Sequence, residues 1–267
     1  MARTLVDNKS HLFVEPSRVP GTRNPYAELP CVAKIAAIAV SDRRILDVLA
    51  GFVVTGGRRF GYGKKETVGL RARTLALHLP QERAGAAVTA LLALSETFTG
   101  FLNGGDLDSD RRNRLATDFT GAISEAIVFQ LLIRSGRARE TIVRDASFFD
   151  GQAPIASRRN VDFFCSLPPS KWAELYECET DLKWLLGRYA SRDAIGNKRD
   201  WEKSQLFLML RVQEILTGLS WDVQLGCVTL HGQAAVNQDL RIMKCPSQLA
   251  IHPREALGTT FPPPLPG

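Results

Sequence analysis

The chain has 267 residues and a formal net charge of +6, with 45% hydrophobic and 23% charged residues. This composition is ordinary for a soluble globular protein, and the length suits one large domain or two small ones. Such a core is large enough to exclude a dependence on disulfides or a structural metal for folding. The basic balance favours a polyanionic partner, because each Lys or Arg that meets a phosphate releases counterions.

The five cysteines exclude two further classes of protein. Their number is odd and no two form a CxxC pair, which argues against a disulfide framework and a zinc knuckle. The first residues lack the apolar segment of a signal peptide, and the most apolar stretch, 84–94, is too short to span a bilayer. We therefore expect a cytoplasmic protein with reduced thiols and no membrane partner.

The first part of the chain, residues 1–110, is predicted to be a mainly helical region that follows an extended arm. Four prolines in the first thirty residues disfavour long helices and predict an arm on the surface. Apolar residues at helical spacing then predict helices within 31–54 and 83–102. The polar segment 104–114 is the best candidate for a boundary, which gives a second part at 111–267.

A glycine-rich basic segment, GGRRFGYGKK at 56–65, is a candidate nucleic-acid contact. Arg58, Arg59, Lys64 and Lys65 supply four positive charges, and two aromatic rings are available for stacking. The alternative is a solvated turn of no functional consequence, since such turns are common.

The second part alternates helical and strand-like segments. A short Pro-rich turn separates two of the predicted strands, so these two are expected to be neighbours in a sheet. The order indicates an α/β fold with a central mixed β-sheet flanked by helices. The predicted helices are 113–134 and 199–216, the predicted strands are 141–149, 161–167, 173–179, 222–230 and a further one at 239–244, and the final PPPLPG is expected to be disordered or extended.

Glu125 lies in the middle of a predicted helix that is apolar on nearly every side. A helix of this kind is normally buried, and a buried carboxylate is costly unless it is paired or bound to a metal. Glu125 is therefore a candidate metal ligand. The alternative is a glutamate that reaches Arg134 or solvent.

Three further acids stand on the two strands that the short turn joins. Asp162 is the lone acid of its apolar strand, and Glu177 and Glu179 share one face of the next strand. Side chains opposite each other on neighbouring strands lie about 5 Å apart, so Asp162 and Glu177 would repel unless a divalent cation sat between them. The alternative is that the two faces differ, or that Arg158 and Arg159 neutralise the acids.

Together, these elements resemble the PD-(D/E)XK nuclease superfamily, also called restriction endonuclease-like. A helix with an embedded Glu, an Asp at a strand start and a Glu-x-Glu on the next strand match its pattern over roughly residues 113–230. The resemblance implies metal-assisted hydrolysis of phosphodiester bonds, with Asp162, Glu177 and Glu125 holding Mg²⁺ or Mn²⁺. Glu179 would bind a second ion or orient the attacking water.

One position departs from that family's pattern. The family usually has Lys where this chain has Glu179, although some restriction endonucleases carry Glu there. In other members a lysine comes from the next helix, for which Lys203 is the first candidate and Lys198 and Lys183 are alternatives. Gln205 could face the same cleft.

The expected function is a Mg²⁺-dependent DNA endonuclease of a restriction or other anti-invader system. RNA is a second candidate substrate, and cutting both strands of a duplex favours a homodimer. Arg158 and Arg159 join the basic segment as candidate nucleic-acid contacts. The alternatives are a non-catalytic nucleic-acid-binding protein on the same fold and a regulatory protein that binds another protein.

Overall fold

A computed structural model describes most of the chain from residue 109 onward and part of what precedes it. The side chains of 109–117, 119, 120, 198 and 199 lie outside this description. The described residues are 4–7, 9, 11–17, 24, 26, 27, 29–47, 49, 85, 86, 89, 90, 92, 93, 96, 97, 100, 109–156, 159–179, 181–192 and 198–266.

The chain divides into two compact units. Unit 1 combines Met1–Arg23 with Leu132–Gly267, and unit 2 is Asn24–Leu131. This division differs from the predicted boundary at 110/111, because the first residues belong with the C-terminal part. Unit 2 is therefore an insertion, in sequence, within unit 1.

Unit 1 is built on a mixed β-sheet, as an α/β fold requires. Its strands are β1 Thr4–Leu5, β2 Leu12–Pro16, β3 Ile142–Asp150, β4 Ala153–Pro154, β5 Val161–Leu167, β6 Trp172–Cys178, β7 Asp222–Val228 and β8 Leu249–His252. The order is β1-β2-β3-β5-β6-β7-β8, with β4 paired to β3. Pairing is antiparallel from β1 to β6, whereas β6, β7 and β8 are parallel.

The N-terminal segment is a strand of this sheet, so the predicted surface arm is wrong over these residues. β2 pairs antiparallel with β3, and Leu12 and Val14 are buried. The alternation of Leu12, Phe13, Val14 and Glu15 carries this signal, because a strand buries every second side chain. Pro16 is the last residue of the strand.

Helices connect the parallel strands. The described helices are α1 Pro30–Ala39, α2 Ser109–Arg134, α3 Leu182–Ser191, α4 Lys198–Trp201, α5 Gln205–Gly218 and α6 Gln233–Ile242. The predicted helix 199–216 is interrupted at Ser204, whose hydroxyl caps α5 by accepting a hydrogen bond from the amide of Phe207 at 3.1 Å. The predicted strand 239–244 is wrong, because its first residues end α6 and the strand follows later as β8.

α3 was not predicted, although its sequence carries a clear signal. Asp181 caps the helix through a hydrogen bond from the amide of Lys183 at 3.0 Å. Buried apolar residues then recur at helical spacing, as an amphipathic helix requires. These residues are Leu182, Leu185, Leu186 and Tyr189.

One face of the sheet carries these helices and the main core of unit 1. Phe164, Leu175 and Leu225 point to this face and pack with apolar residues of α3, α5 and α6. Phe148 and Phe164 meet edge to face, with ring centroids 5.1 Å apart. Because side chains alternate along a strand, Glu177 shares this face with Leu175.

The opposite face holds a buried ion pair. Arg137 donates to Glu174 from Nε at 2.6 Å and from Nη2 at 2.5 Å, and the hydroxyl of Tyr176 donates to the same carboxylate at 2.6 Å. The Nη2 of Arg137 also donates to the carbonyl of Pro263 at 2.6 Å. The C-terminal segment is thus extended and bound to the sheet, which excludes the disordered alternative for it.

A cluster of aromatic rings covers this ion pair. The ring of Phe261 is buried and meets the ring of Tyr176 edge to face at 5.0 Å and the ring of His252 at 4.9 Å. Gly226 makes room for Tyr176, because a Cβ at this position would lie 2.5 Å from Cδ1 of the tyrosine. Burial lowers the pKa of His252 to about 4, so the imidazole is neutral near pH 7.

The secondary structure that is described in unit 2 is helical. α1 buries Val32 and Ile35, residues 43–47 are helical, and α2 buries Ile123 and Ile127. The described residues between 85 and 100 are also helical, in agreement with the helix predicted there. Among the described residues, none of the helices combines the length and the apolar character that crossing a membrane requires.

Candidate acidic site

Asp162 lies where the β5–β6 ladder ends and where the β3–β5 ladder is interrupted by one position. The β5–β6 ladder begins at Phe163, paired with Tyr176, and the β3–β5 ladder skips the position of Asp162 between Phe163 and Val161. The Oδ2 atom of Asp162 instead accepts a hydrogen bond from the backbone amide of Cys178 at 2.7 Å. A carboxylate therefore occupies the point at which backbone pairing stops.

Glu177 and Glu179 stand at the C-terminal end of β6. Continuing the β5–β6 register by one position places Glu177 opposite Asp162, as the sequence predicts. Glu177 is buried and Glu179 is half-buried. The amide of Glu179 still bonds to the carbonyl of Val228 at 3.0 Å, so β6 stays paired with β7 while it leaves β5.

The charges of these acids change one another's pKa values and the pKa of a neighbouring thiol, so the acids lie close together. Burial raises the pKa of Asp162 to about 7, in part offset by the hydrogen bond from Cys178. Burial, with the charges of Asp162 and Asp181, raises the pKa of Glu179 to about 8. Burial also raises the pKa of the Cys227 thiol well above its usual value, and the charges of Glu179, Glu177 and Asp162 raise it further.

Asp145 is a further acid of this region that the sequence analysis missed. It is buried in the middle of β3, its φ of 49° is left-handed, and its carboxylate accepts a hydrogen bond from the side chain of Asn160 at 3.3 Å. Its charge contributes to the raised pKa of Asp162. The sequence signal for Asp145 is weaker than that for Asp162, because β3 also carries Arg144, Ser147 and a second acid, Asp150.

The positive charges of this region are arginines. The charge of Arg144 lowers the pKa of Asp162, against the larger effect of burial. Burial and the charge of Arg188 lower the pKa of Arg159, while the charge of Glu177 raises it. The Nε of Arg159 donates to the carbonyl of Lys203. Arg159 therefore lies between Glu177 and the segment before α5.

Of the three candidate lysines, the structure describes the side chains of Lys203 and Lys183. The side chain of Lys203 is exposed, and it is the carbonyl of Lys203 that faces Arg159. Lys183 is half-exposed and lies 3.9 Å from the carboxylate of Asp239 on α6. Gln205 is the half-buried first residue of α5. The side chain of Lys198 lies outside the described residues.

Glu125 belongs to unit 2, whereas the other acids belong to unit 1. It is half-buried, and its carboxylate accepts a hydrogen bond from the side chain of Asn24 at 3.2 Å. Its role as a metal ligand stays a prediction. The basic segment with Arg58, Arg59, Lys64 and Lys65 lies outside the described residues, as does Arg158.

The acids do not form a complete set of protein ligands around a metal ion. Among the described residues, no three side chains of Asp, Glu, His and Cys are placed to share one metal ion. Asp162 and Glu177 are nevertheless opposite each other on adjacent strands. Two carboxylates with waters and substrate phosphates are a common donor set for Mg²⁺.

Comparisons with known proteins add little to this description. No known protein family matches the sequence, and no curated protein matches it. Among solved structures, the chain is similar to the crystal structure of protein VC1899 from Vibrio cholerae, at 13% sequence identity and a TM-score of 0.42. The match covers 93% of this chain and 56% of that protein's chain, so this chain spans little more than half of it.

Proposed function

We propose that unit 1 is a restriction endonuclease-like core and that the protein is a Mg²⁺-dependent endonuclease acting on phosphodiester bonds of DNA. The observation that carries this proposal is the gathering of Asp162, Glu177 and Glu179 on one side of the sheet, where β5 and β6 separate. Like charges that are close together and half-buried destabilise the folded protein when no ligand is bound. A cationic ligand would offset that cost.

The donor chemistry fits a small divalent cation. Mg²⁺ and Mn²⁺ prefer carboxylate oxygens, and the two acids that face each other across β5 and β6 supply them. When bound, such an ion polarises a phosphate and lowers the pKa of a bound water. Asp162 and Glu177 would hold it, and the amide of Cys178 fixes the orientation of Asp162.

Glu179 would accept the proton of the attacking water as a general base. Its pKa of about 8 lies close to neutral pH, where a carboxylate is an effective proton acceptor. A lysine at this position could not play that part, but it would supply positive charge. In this chain, the positive charge near Glu177 comes from Arg159 instead.

The order of the elements of unit 1 also supports the proposal. Antiparallel strands β3, β5 and β6 are followed by a helical crossover to the parallel strand β7, as in the core order that the resemblance implies. The carboxyl end of β6 in a sheet of this kind is a usual place for a ligand. A cytoplasmic location, a role in defence against foreign DNA and a homodimer remain parts of the proposal.

A second candidate function is a non-catalytic nucleic-acid-binding protein on the same fold. Two observations favour it: Glu179 replaces the usual lysine, and among the described residues no three acidic or metal-binding side chains are placed around one point. Such a protein would bind nucleic acid without cleaving it. The cleavage assay below separates the two functions.

The test is cleavage of supercoiled plasmid DNA with Mg²⁺, with Mn²⁺ and with a chelator. We expect nicked or linear DNA only with a metal ion, and no cleavage by Asp162→Asn or Glu177→Gln. Asp222→Asn, an exposed acid on β7, is the matched control and should cleave like the wild type. Cleavage that persists in both site variants would refute the proposal, and binding without any cleavage would favour the second candidate.

Structured and single-stranded RNA belong in the same assay. Cleavage of RNA in preference to DNA would change the substrate but leave the site in place. Thermal unfolding with and without the ion is an independent measurement. The wild type should gain about 2.7 kcal/mol at an ion concentration 100 times the Kd, and Asp162→Asn should gain less.

A further inference from the structure

Two half-buried arginines lie beside the acidic site and do not ligate the proposed cation. Arg159 precedes β5, and Arg188 stands on α3, the helix that follows Glu179. Within the described part of the chain, neither guanidinium forms a salt bridge with a carboxylate. Arg159 donates to the carbonyl of Lys203, and Trp201, two residues before Lys203, packs against Tyr189, the neighbour of Arg188, with ring centroids 5.6 Å apart. The two guanidinium groups are therefore near each other, and their charges interact.

Two neighbouring guanidinium groups repel each other, and the charge of Glu177 offsets part of this repulsion at Arg159. A further anion between the two groups would remove the rest. Arg159 is held in place, because its Nε donates to the carbonyl of Lys203, which leaves the terminal nitrogens of its fork for another acceptor. Planar guanidinium forks match the geometry of phosphate oxygens and bind them with two hydrogen bonds. The pair therefore has the chemistry of a phosphate subsite.

An exposed tryptophan stands one helical turn away. Trp184 precedes Arg188 by four residues on α3, so the two side chains lie on the same side of the helix, with Cβ atoms about 5–6 Å apart. The side chain of Trp184 is 74% exposed, whereas the buried side of α3 is formed by Leu182, Leu185, Leu186 and Tyr189. A large exposed ring next to a phosphate-binding arginine is a stacking platform for an unpaired base.

We propose that Arg159, Arg188 and Trp184 form a subsite for a single strand of nucleic acid. The two arginines hold one backbone phosphate, and Trp184 stacks on an adjacent unpaired base. This inference rests on the proposed function, because it names the form of substrate that the acidic site would receive. It also replaces the predicted lysine, since the positive charge would come from two arginines on different elements.

The test is binding of a fluorescently labelled single-stranded DNA and of its duplex, measured by anisotropy with a chelator present. Arg188→Gln should lower the slope of log K against log salt by about 0.7 for the single strand, which is the loss of one phosphate contact. Arg159→Gln should do the same. Arg188→Gln leaves the Arg159–Lys203 hydrogen bond intact, so it tests the subsite even if Arg159→Gln unfolds the protein.

Trp184→Ala should weaken binding of the single strand about tenfold and change binding of the duplex little. Trp184→Phe should recover much of the loss, because a smaller ring still stacks. The matched controls lie on α6, where Arg241 is also an exposed arginine and Ile242 is an apolar residue that is 70% exposed. Arg241→Gln and Ile242→Ala should leave the slope and the affinity unchanged.

The outcomes separate this inference from the proposed function. Unchanged salt slopes in Arg188→Gln, or a loss from Trp184→Ala that is equal for duplex and single strand, would overturn the subsite even if the wild type cleaves DNA. The expected slopes in a protein that never cleaves would support the subsite and reject the nuclease. A loss of slope in the controls on α6 would also overturn it, because binding would then depend on general surface charge.

Discussion

The two faces of the sheet in unit 1 treat buried charge in opposite ways. On one face, the carboxylate of Glu174 receives three hydrogen bonds from Arg137 and Tyr176, and a segment of the C-terminus covers the pair. On the other face, Asp162 and Glu179 have raised pKa values beside further acids.

We interpret the Arg137–Glu174 pair as structural, and the acidic cluster as the part of the sheet that the proposed function would use. Burial raises the pKa of Glu174 as well, but here the hydrogen bonds from Arg137 and Tyr176 and the charge of Arg137 partly offset this rise, and the charge of Glu174 in turn raises the pKa of Arg137 above its ordinary value. Each charge of this pair therefore has a partner of opposite sign within hydrogen-bonding distance. Acids that repel each other gain nothing for folding by being neighbours. Their arrangement is understandable when a ligand of opposite charge completes it.

The largest expected effect comes from breaking the compensated pair. Arg137→Met leaves the Glu174 carboxylate buried without its cation, which should lower the free energy of unfolding by about 3–5 kcal/mol. Urea denaturation measures it, and the exposed Arg139→Met is the control. The double variant Arg137→Met/Glu174→Leu should recover most of the loss. If Arg137→Met were as stable as the wild type, the Arg137–Glu174 pair would not be buried from solvent.

Removing the aromatic cover should cost nearly as much. Phe261→Ala deletes a buried ring that contacts Tyr176 and His252, and a change of this kind typically costs about 3 kcal/mol. Thermal or urea unfolding measures it. Thr260→Ala, at the exposed neighbouring position, should be nearly neutral. Equal stability of the two variants would mean that the C-terminal segment does not pack on the sheet in solution.

A methyl group beneath Tyr176 should have a smaller effect. Gly226→Ala places a Cβ 2.5 Å from the tyrosine ring, and overpacking of this kind costs about 1–3 kcal/mol. Gly218→Ala is the matched control, because nothing lies within 4 Å of its added Cβ. The difference between the two variants in urea denaturation isolates the contact. A neutral Gly226→Ala would show that the ring moves away freely.

The smallest expected effect concerns the acidic face and depends on pH. The pKa values of Asp162 and Glu179 are raised to about 7 and about 8, so the folded protein holds more protons than the unfolded chain between about pH 4 and pH 8. Without divalent cation, these acids therefore make the free energy of unfolding fall as pH rises through that window.

Amide variants remove this dependence. Relative to the wild type, Asp162→Asn and Glu179→Gln should gain stability as pH rises through this window. Because both side chains are only half-buried, solvent screening should reduce the gain to on the order of 1 kcal/mol near pH 8. Denaturation at several pH values with a chelator measures the gain, and Asp222→Asn should stay parallel to the wild type. If these variants instead lost stability relative to the wild type as pH rises, the ionised acids would be stabilised by opposite charges in the folded protein.

The strands of the candidate site could be predicted from the sequence because their signals are local. Alternation and the Pro-rich turn gave β5 and β6 within one residue, and with them the faces of Asp162 and Glu177. The second face could not be predicted, because Arg137, Glu174 and Pro263 are far apart in sequence and only tertiary contact joins them.

The helix at 182–191 and the positive charges were missed for different reasons. Asp181 and the spacing of Leu182, Leu185 and Leu186 are a local sequence signal of α3. The position of Arg159 was not readable, because its neighbours Arg188 and Lys203 come from two later elements. The family pattern directed attention to lysines, of which Lys203 is exposed and Lys183 lies near Asp239.

The discontinuity of unit 1 has a consequence for how the protein is made. β2 is synthesised early, but its partner β3 follows only after all of unit 2. Phe13 can therefore pair with Phe149 only after the chain has been synthesised through unit 2. Until then, the apolar side chains of Leu12 and Val14 have no sheet to join and are available to wrong partners. Pairing across so long a stretch of chain slows folding. A nascent chain released before residue 150 would therefore lack the strand that β2 needs, and such fragments should aggregate or be degraded.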